Sequence, residues 1–148
     1  MDKVSPEIRS KVMARVRSQR NLSTEWRLRG SLVRAGIRGW KLNPRDVPGR
    51  PDFVFWKKRV ALFVDGCYWH GCPKCCRRPS SNTAYWDSKI TRNRVRDVKI
   101  TSLLRRDGWR VLRIWEHQLS DLESVVGKVK AMLALSRRIV RQAKMAAR

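Results

Sequence analysis

Residues 49–72 read GRPDFVFWKKRVALFVDGCYWHGC, and this stretch decides the fold. It contains two apolar runs, Asp52 to Trp56 and Val60 to Val64, separated by the polar turn Lys57-Lys58-Arg59. Apolar runs of this length on either side of a short polar turn predict a β-hairpin. A further short strand is predicted just before the hairpin, from Arg38 to Leu42.

Helices are predicted on both sides of these strands. Ser5-Pro6-Glu7 combines a capping residue, an early proline and an acid, so a helix should begin there and end near Gln19. Ser23 or Thr24 can cap a second helix that ends near Gly36. The elements predicted after the hairpin are a helix from about Ala84 to Arg106, a strand from Trp109 to Trp115 and a final helix opened by the capping box Ser120-Asp-Leu-Glu123.

This order of elements predicts an α/β fold with a small mixed sheet flanked by helices. The 148 residues favour one domain over residues 1–148, since a chain of this length buries one core. Within it we expect an N-terminal helix over 1–20 and a basic, amphipathic C-terminal helix over 120–148.

The charge of the chain indicates the class of its partner. Thirty-five Lys and Arg residues against 12 Asp and Glu residues give a net charge of +23. Such a charge repels itself unless a polyanion neutralises it, and nucleic acid is the obvious polyanion. Charge alone would equally suit a ribosomal or membrane-surface protein. No signal peptide or membrane helix is predicted, so we expect a cytoplasmic protein.

All four cysteines fall within ten residues, which indicates metal ligation rather than a disulfide framework. Zinc prefers four thiolate or imidazole ligands, and the distant His117 raises the number of candidates to five. Cys72-Pro-Lys-Cys75 has the spacing of a zinc knuckle. Adjacent cysteines rarely reach one ion without strain, so we choose Cys75 and leave out Cys76. Alternatively, His117 is a plain surface histidine.

Three acids are candidates for site chemistry. Asp52 follows a stiff turn at the mouth of a strand, where a carboxylate can hold Mg²⁺. Asp97 lies on the apolar stripe of its helix, so it either serves the site or pairs with a buried arginine. Glu25 lies in the first turn of its predicted helix, where the helix dipole favours an acid whatever the function.

Pro51-Asp52 before a hairpin suits the nuclease superfamily whose signature is Pro-Asp, then Asp or Glu, any residue, and Lys. The lysine is missing here, because Cys67 stands two places after Asp65. His70 is the nearby group that can take a proton from water. The alternative is that His70 is a zinc ligand. Tyr68 and Trp69 lie in a Gly-rich loop, which is an unusual place for aromatic residues that pack in a core. Aromatic residues in such a loop can unstack a base step in DNA.

Several uncommon motifs occur together and in order. They are Pro48-Gly-Arg-Pro-Asp-Phe53, Phe63-Val-Asp-Gly-Cys-Tyr-Trp-His-Gly-Cys72, Tyr85-Trp86, Arg96-Asp97 and Gly108-Trp-Arg-Val-Leu-Arg-Ile-Trp-Glu-His117. Over about residues 9 to 119 the chain resembles the very short patch repair endonucleases. The resemblance implies a restriction-endonuclease-like core, of the superfamily with the Pro-Asp signature, and a zinc-stabilised loop. It also implies Mg²⁺-dependent nicking 5′ of the thymine in T:G mismatches.

The resemblance assigns roles to particular residues. Asp52, His70, Asp97 and Glu25 are the implied catalytic residues, with Mg²⁺ bound by Asp52 and by the backbone carbonyl of Val64. Cys67, Cys72, Cys75 and His117 are the implied structural zinc ligands. The residues implied to enter the DNA beside the mismatch are Tyr68, Trp69, Trp86 and Met13. Because Met13 lies in the N-terminal helix over 1–20, that helix is implied to contact DNA.

The implied partner is double-stranded DNA containing a T:G mismatch, with a cytosine-5 methyltransferase and mismatch-repair proteins as further partners. We expect a monomer associated with the bacterial nucleoid. Two alternatives remain: a restriction-like or nicking endonuclease of the same fold with another target, and a non-catalytic, zinc-stabilised DNA-binding protein.

Overall fold

The computed structural model describes residues 5–77 and 79–146, with the side chains at positions 6, 9, 12–23 and 136–146 outside the described set. The elements are α1 (Pro6–Arg34), β1 (Lys41–Leu42), β2 (Phe53–Phe55), β3 (Val60–Asp65), α2 (Thr83–Arg106), β4 (Arg110–Trp115) and α3 (Leu122–Ala146), with short 3-10 turns at Trp56–Lys58 and Glu116–Ser120. No helix in the described part of the chain is long and apolar enough to cross a bilayer.

The strands form one mixed sheet in the order β1-β2-β3-β4. The first two pairings are antiparallel, and the predicted hairpin is β2 and β3, in which Phe53 lies opposite Leu62. β3 and β4 are parallel, with α2 as the crossover between them. The predicted α/β class with a small mixed sheet is therefore confirmed.

Both faces of the sheet are covered, which explains why β3 is apolar at nearly every position. On one face, α1 and α3 pack over Phe53, Leu62 and Ile114. On the other face, α2 packs through Leu104 over a second cluster that includes Phe63. Because side chains alternate along a strand, Asp65 at the end of β3 lies on the α2 face.

The prediction of two N-terminal helices was wrong. α1 is one helix of 29 residues, capped by the Ser5 side chain, which accepts a hydrogen bond from the Ile8 amide at 3.4 Å. Ser23 and Thr24 do not start a new helix, because no proline or glycine interrupts the chain between them and the preceding turns. Capping preference alone is too weak to end a helix that can continue.

The start of the last helix is also displaced from the prediction. Asp121 is the capping residue, since its carboxylate accepts a hydrogen bond from the Ser124 amide at 3.0 Å. Ser120 instead ends the preceding 3-10 turn, with its hydroxyl donating to the His117 carbonyl at 2.8 Å. A 3-10 turn that occupies Glu116–Ser120 thus moves the cap by one residue.

Candidate active site and metal centre

Asp52 lies just before β2, at the end of the hairpin opposite its turn. Its carboxylate Oδ2 accepts a hydrogen bond from the Val64 amide at 2.7 Å, which fixes the acid beside the end of β3. Asn43 links Asp52 to Glu25, because its amide N–H donates to the Asp52 carbonyl at 3.2 Å and its side chain lies 3.4 Å from both Glu25 carboxylate oxygens. Asn43 thus holds Glu25 of α1 close to Asp52, the residue before β2.

The surroundings of Asp52 oppose its ionised form. Burial raises its pKa, and the negative charges of Glu25 and Asp65 raise it further, to about 6, against the lowering effect of the Val64 hydrogen bond. A carboxylate with a raised pKa among other acids needs a cation to be stable in its charged form. The donor set therefore fits a hard divalent cation, which prefers oxygen ligands.

His70 and Asp97 meet beside these acids. The loop carrying His70 turns back so that the His70 amide donates to the Gly66 carbonyl at 3.1 Å. In this position His70 Nδ1 hydrogen-bonds Asp97 Oδ2, while the nearest oxygen of Asp65 is 3.9 Å away. A carboxylate partner favours the tautomer with the ring proton on Nδ1, in which Nε2 is the nitrogen that can accept a proton.

Arg113 neutralises the two carboxylates on this face of the sheet. Burial works against its charge, but the hydrogen bonds and charges of Asp65 and Asp97 raise its pKa. Of the two predictions for Asp97, the pairing with an arginine is present in the structure, and a role in site chemistry stays a prediction. Asp97 contacts His70 through one oxygen and Arg113 through the other.

Except for Glu25 and Asn43, these groups line one open cleft of about 460 Å³. Its walls are Gly49, Arg50, Asp52, Phe63, Val64, Asp65, His70, Arg96, Asp97, Ile100 and Arg113. Gly49 adopts a positive φ of 78°, and a Cβ there would lie 2.5 Å from Ile100 Cγ2. Only glycine therefore lets the turn before Asp52 approach α2 this closely.

The four predicted zinc ligands meet at a second centre. His117 Nδ1 lies 3.3 Å from Cys67 Sγ, 3.6 Å from Cys72 Sγ and 3.5 Å from Cys75 Sγ. A tetrahedral zinc with Zn–S of about 2.3 Å and Zn–N of about 2.1 Å places sulfur and nitrogen ligands about 3.6 Å apart. The spacing of these atoms thus matches a Cys₃His site.

The chemistry of the thiols supports the same fit. A hydrogen bond with Cys67, burial and the neighbouring Cys72 raise the pKa of Cys75 to about 12, and burial raises the pKa of Cys67. At Cys72, the effect of burial is outweighed by backbone and thiol hydrogen bonds, which lower the pKa. A bound cation would favour the thiolate form of all three, because metal binding releases their protons. Cys76 lies apart, with its thiol 3.8 Å from the Tyr68 carbonyl. The side chain of His70 contacts Asp97 rather than these cysteines.

Three of the four residues implied to enter DNA form an aromatic cluster. Tyr68 lies 5.0 Å from Trp69 and 5.4 Å from Trp86 between ring centroids, and the two tryptophans are 5.7 Å apart. The Lys89 ammonium lies 5.3 Å from both tryptophan rings. Met13 belongs to α1, but its side chain lies outside the described set.

Sequence reasoning missed two members of the site, Asn43 and Arg113. Asn43 has a positive φ of 43°, which is uncommon outside glycine and marks a constrained turn. Arg113 interrupts the apolar run of β4, with Val111 and Leu112 before it and Ile114 and Trp115 after it, and that interruption was a signal. Asn93 of α2 donates to the Trp69 carbonyl at 2.8 Å and ties the loop to α2.

Comparison with known proteins identifies the family. The sequence model described as DNA mismatch endonuclease Vsr matches residues 1–77, just over half of the chain. The type II nicking enzyme V.XorIIP of Xanthomonas oryzae pv. oryzae is 41% identical over 135 residues, 89% of this chain and 96% of that protein. V.NaeI of Lentzea aerocolonigenes, also a type II nicking enzyme, is 43% identical over 106 residues, 69% of this chain and 63% of that protein. The DNA mismatch endonuclease Vsr of Escherichia coli is 37% identical over 119 residues, 79% of this chain and 74% of that protein. The resemblance carried by the motifs is confirmed, and the chain belongs to the Vsr family of DNA mismatch endonucleases.

Proposed function

We propose that the protein is a Mg²⁺-dependent DNA endonuclease that nicks one strand just 5′ of the thymine in a T:G mismatch, in very short patch repair. Its core would be a restriction-endonuclease-like variant in which His70 replaces the missing lysine. The observation that carries the proposal is the meeting of Asp52, His70 and Asp97 in one open cleft.

Asp52 and the backbone carbonyl of Val64 would hold the Mg²⁺, with Glu25 completing the acidic surroundings. The raised pKa of Asp52 supports this assignment, because the pair of neighbouring acids leaves negative charge that a cation would offset. When bound, the ion would stabilise the charge that develops on the scissile phosphate.

His70 would act as the general base. With the proton on Nδ1 held by Asp97, Nε2 takes a proton from the attacking water. The hydroxide then attacks phosphorus as the bond to the leaving sugar oxygen breaks. Asp97 stabilises the imidazolium, and Arg113 holds Asp97 in place through the contact between Nη2 and Oδ1 at 3.1 Å.

The aromatic cluster of Tyr68, Trp69 and Trp86 would enter the duplex beside the mismatch. Stacked planar side chains can replace the stacking that an opened base step loses. The step next to a mispair is the least costly to open, which is one source of selectivity. The net charge of +23 would supply the phosphate contacts.

Cys67, Cys72, Cys75 and His117 would hold a structural Zn²⁺. Because this set joins the loop to the 3-10 turn that follows β4, the ion would keep Tyr68, Trp69 and His70 in place. We therefore assign zinc to loop structure and magnesium to chemistry.

The similarity to V.XorIIP and V.NaeI favours a second candidate, a nicking endonuclease with another target. Both relatives are named as nicking enzymes, and neither name mentions a mismatch. In either case we propose one chain acting in the bacterial cytoplasm at the nucleoid, with a cytosine-5 methyltransferase and mismatch-repair proteins as further partners.

The test is cleavage of duplexes that carry a different label on each strand. The panel contains one T:G pair in varied contexts, other mismatches and matched controls, with Mg²⁺ or with EDTA. We expect a Mg²⁺-dependent nick only in the thymine strand, 5′ of the mispaired thymine, and no cleavage by Asp52→Asn despite retained binding. Cleavage of a different mismatch or of matched DNA would favour the second candidate, and binding without any cleavage would leave a DNA-binding protein.

A further inference from the structure

Arg113 uses all of its guanidinium nitrogens within the protein. Nε and Nη2 donate to the two carboxylate oxygens of Asp65, each at 2.7 Å. Nη2 also lies 3.1 Å from Asp97 Oδ1, and Nη1 lies 3.3 Å from the Thr101 hydroxyl. The guanidinium lies over the Phe63 ring, 4.5 Å from its centroid. With its donors engaged in this way, Arg113 is poorly suited to bind a phosphate.

The parallel pairing of β3 and β4 explains this arrangement. Phe63 lies directly opposite Arg113, so Asp65, two residues further along β3, shares the face of the sheet on which Arg113 lies. α2 packs over that face and presents Asp97 and Thr101, four residues apart and therefore on one side of the helix. Two partly or fully buried carboxylates here require a counter-charge, which Arg113 provides.

His70 has two carboxylates within reach, and only one of them holds it. Its Nδ1 hydrogen-bonds Asp97, whereas Asp65 Oδ1 is 3.9 Å away. Asp65 is withdrawn because both of its oxygens accept hydrogen bonds from Arg113. Asp97 contacts Arg113 through Oδ1 and hydrogen-bonds the His70 imidazole through Oδ2.

We propose that Arg113 is a positioning residue for the nicking reaction, one that selects Asp97 over Asp65 as the partner of His70. Two parallel hydrogen bonds fix Asp65 away from the imidazole, and the third contact orients Asp97 toward it. This inference rests on the proposed function, in which His70 is the general base. The competing explanation is an ion pair that only joins the sheet to α2.

The kinetic test compares Arg113→Gln and Arg113→Lys with the wild type on a T:G duplex under single-turnover conditions. We expect Arg113→Gln to lower the maximal rate about 100-fold, within the range of one acid–base contribution, with DNA affinity changed less than about threefold. Arg113→Lys should recover part of the rate by restoring one charge. Lys57→Gln, which removes a charge from the exposed turn at the other end of the sheet, should leave the rate unchanged.

A double-mutant cycle with Asp97→Asn tests whether Arg113 acts through Asp97. In that background we expect Arg113→Gln to cost less than about threefold, because the group that it positions is already lost. An undiminished loss in the cycle, a loss of DNA affinity equal to the loss of rate, or a rate that follows only the unfolded fraction would each overturn the proposal.

A spectroscopic measurement separates this proposal from the proposed function. The chain has only two histidines, so ¹⁵N NMR of the imidazoles resolves His70 from His117, whose Nδ1 faces the cysteines. At about pH 8, where an ordinary imidazole is neutral, we expect wild-type His70 in the Nδ1–H form. Arg113→Gln should give a mixture of tautomers, and an unchanged spectrum would contradict the positioning role. This result holds whether or not T:G duplexes are the substrate.

Discussion

Asp52 ionises less readily than an ordinary aspartate, and the cause lies in its neighbours. Burial, together with Glu25 and Asp65, raises its pKa to about 6 from 3.8. Because the pKa in the folded state is above the unfolded value, the stabilising contribution of Asp52 is fully present below 3.8 and is lost as the pH rises through about 6. A cation bound by the carboxylate would reverse this loss.

We therefore expect the thermal stability of the Mg²⁺-free protein to fall between about pH 5 and pH 7.5 more steeply in the wild type than in Asp52→Asn. Added Mg²⁺ should raise the melting temperature of the wild type at the upper pH and have little effect at the lower one. Differential scanning fluorimetry with zinc retained measures both trends. Equal pH slopes in the two proteins would contradict the raised pKa.

His70 distinguishes the two proposed metal centres, because it lies in the loop that carries the proposed zinc ligands yet contacts Asp97. We expect His70→Ala to lower the nicking rate at least about 100-fold, as the loss of a general base does. Its zinc content should stay at about one ion per chain, because the Cys₃His set is intact. Nicking assays and elemental analysis check this, and loss of zinc would show that His70 is a ligand.

At the scale of elements, the loop between β3 and α2 provides a matched pair of adjacent cysteines. Cys75 Sγ lies 3.5 Å from His117 Nδ1, whereas Cys76 contacts the Tyr68 carbonyl. We expect Cys75→Ser to lose zinc and to melt at a lower temperature, since metal binding stabilises the folded loop. Cys76→Ser should keep both properties, and zinc loss in that variant instead would exchange the roles of the two cysteines.

The role of the aromatic cluster in this loop can be tested against an aromatic pair at the other end of the sheet, which serves as the control. Trp69 packs against Tyr68 and Trp86, whereas Trp56 is 37% exposed and packs against Trp109. We expect Trp69→Ala to weaken binding to a T:G duplex about tenfold or more, because stacking on a base is worth about 1–3 kcal/mol. Trp56→Ala should leave the affinity unchanged. Equal losses in fluorescence anisotropy titrations would point to a general effect on folding.

Local sequence patterns predicted most of the helices and strands. Contacts that depend on the pairing of distant strands could not be predicted in this way. The hairpin, the polar residues on one side of α2 and the clustered cysteines are visible within windows of a few residues. The partnership of Arg113 with Asp65 depends on the register of two strands that are distant in sequence, so no local pattern reveals it. The single helix α1 was missed because Ser23 and Thr24 are common caps that a continuing helix tolerates.

At the scale of the whole molecule, we expect charge to set the strength of DNA binding and the aromatic cluster with the cleft to set its selectivity. The net charge of +23 attracts any duplex, and its contribution falls as salt increases. The aromatic cluster and the cleft depend much less on ionic strength. A mismatch should therefore be recognised best where nonspecific binding is weakest.

We expect affinity for a matched duplex to fall at least about 100-fold between about 50 and 200 mM salt, as it does for proteins that contact several phosphates. The ratio of T:G to matched affinity should stay constant or increase over the same range. Anisotropy titrations at four salt concentrations give both quantities. A flat salt dependence would contradict a phosphate-dominated interface.

Within six positions, from Cys67 to Cys72, the loop carries two proposed zinc ligands, two aromatic rings proposed to enter DNA and the imidazole of His70. For protein engineering, residues 65–76 therefore have to be exchanged as one unit, together with His117 and the α2 residues that contact the loop. Target preference and catalytic competence are consequently inherited together, and a nickase with a new specificity is best sought by exchanging this whole unit between relatives.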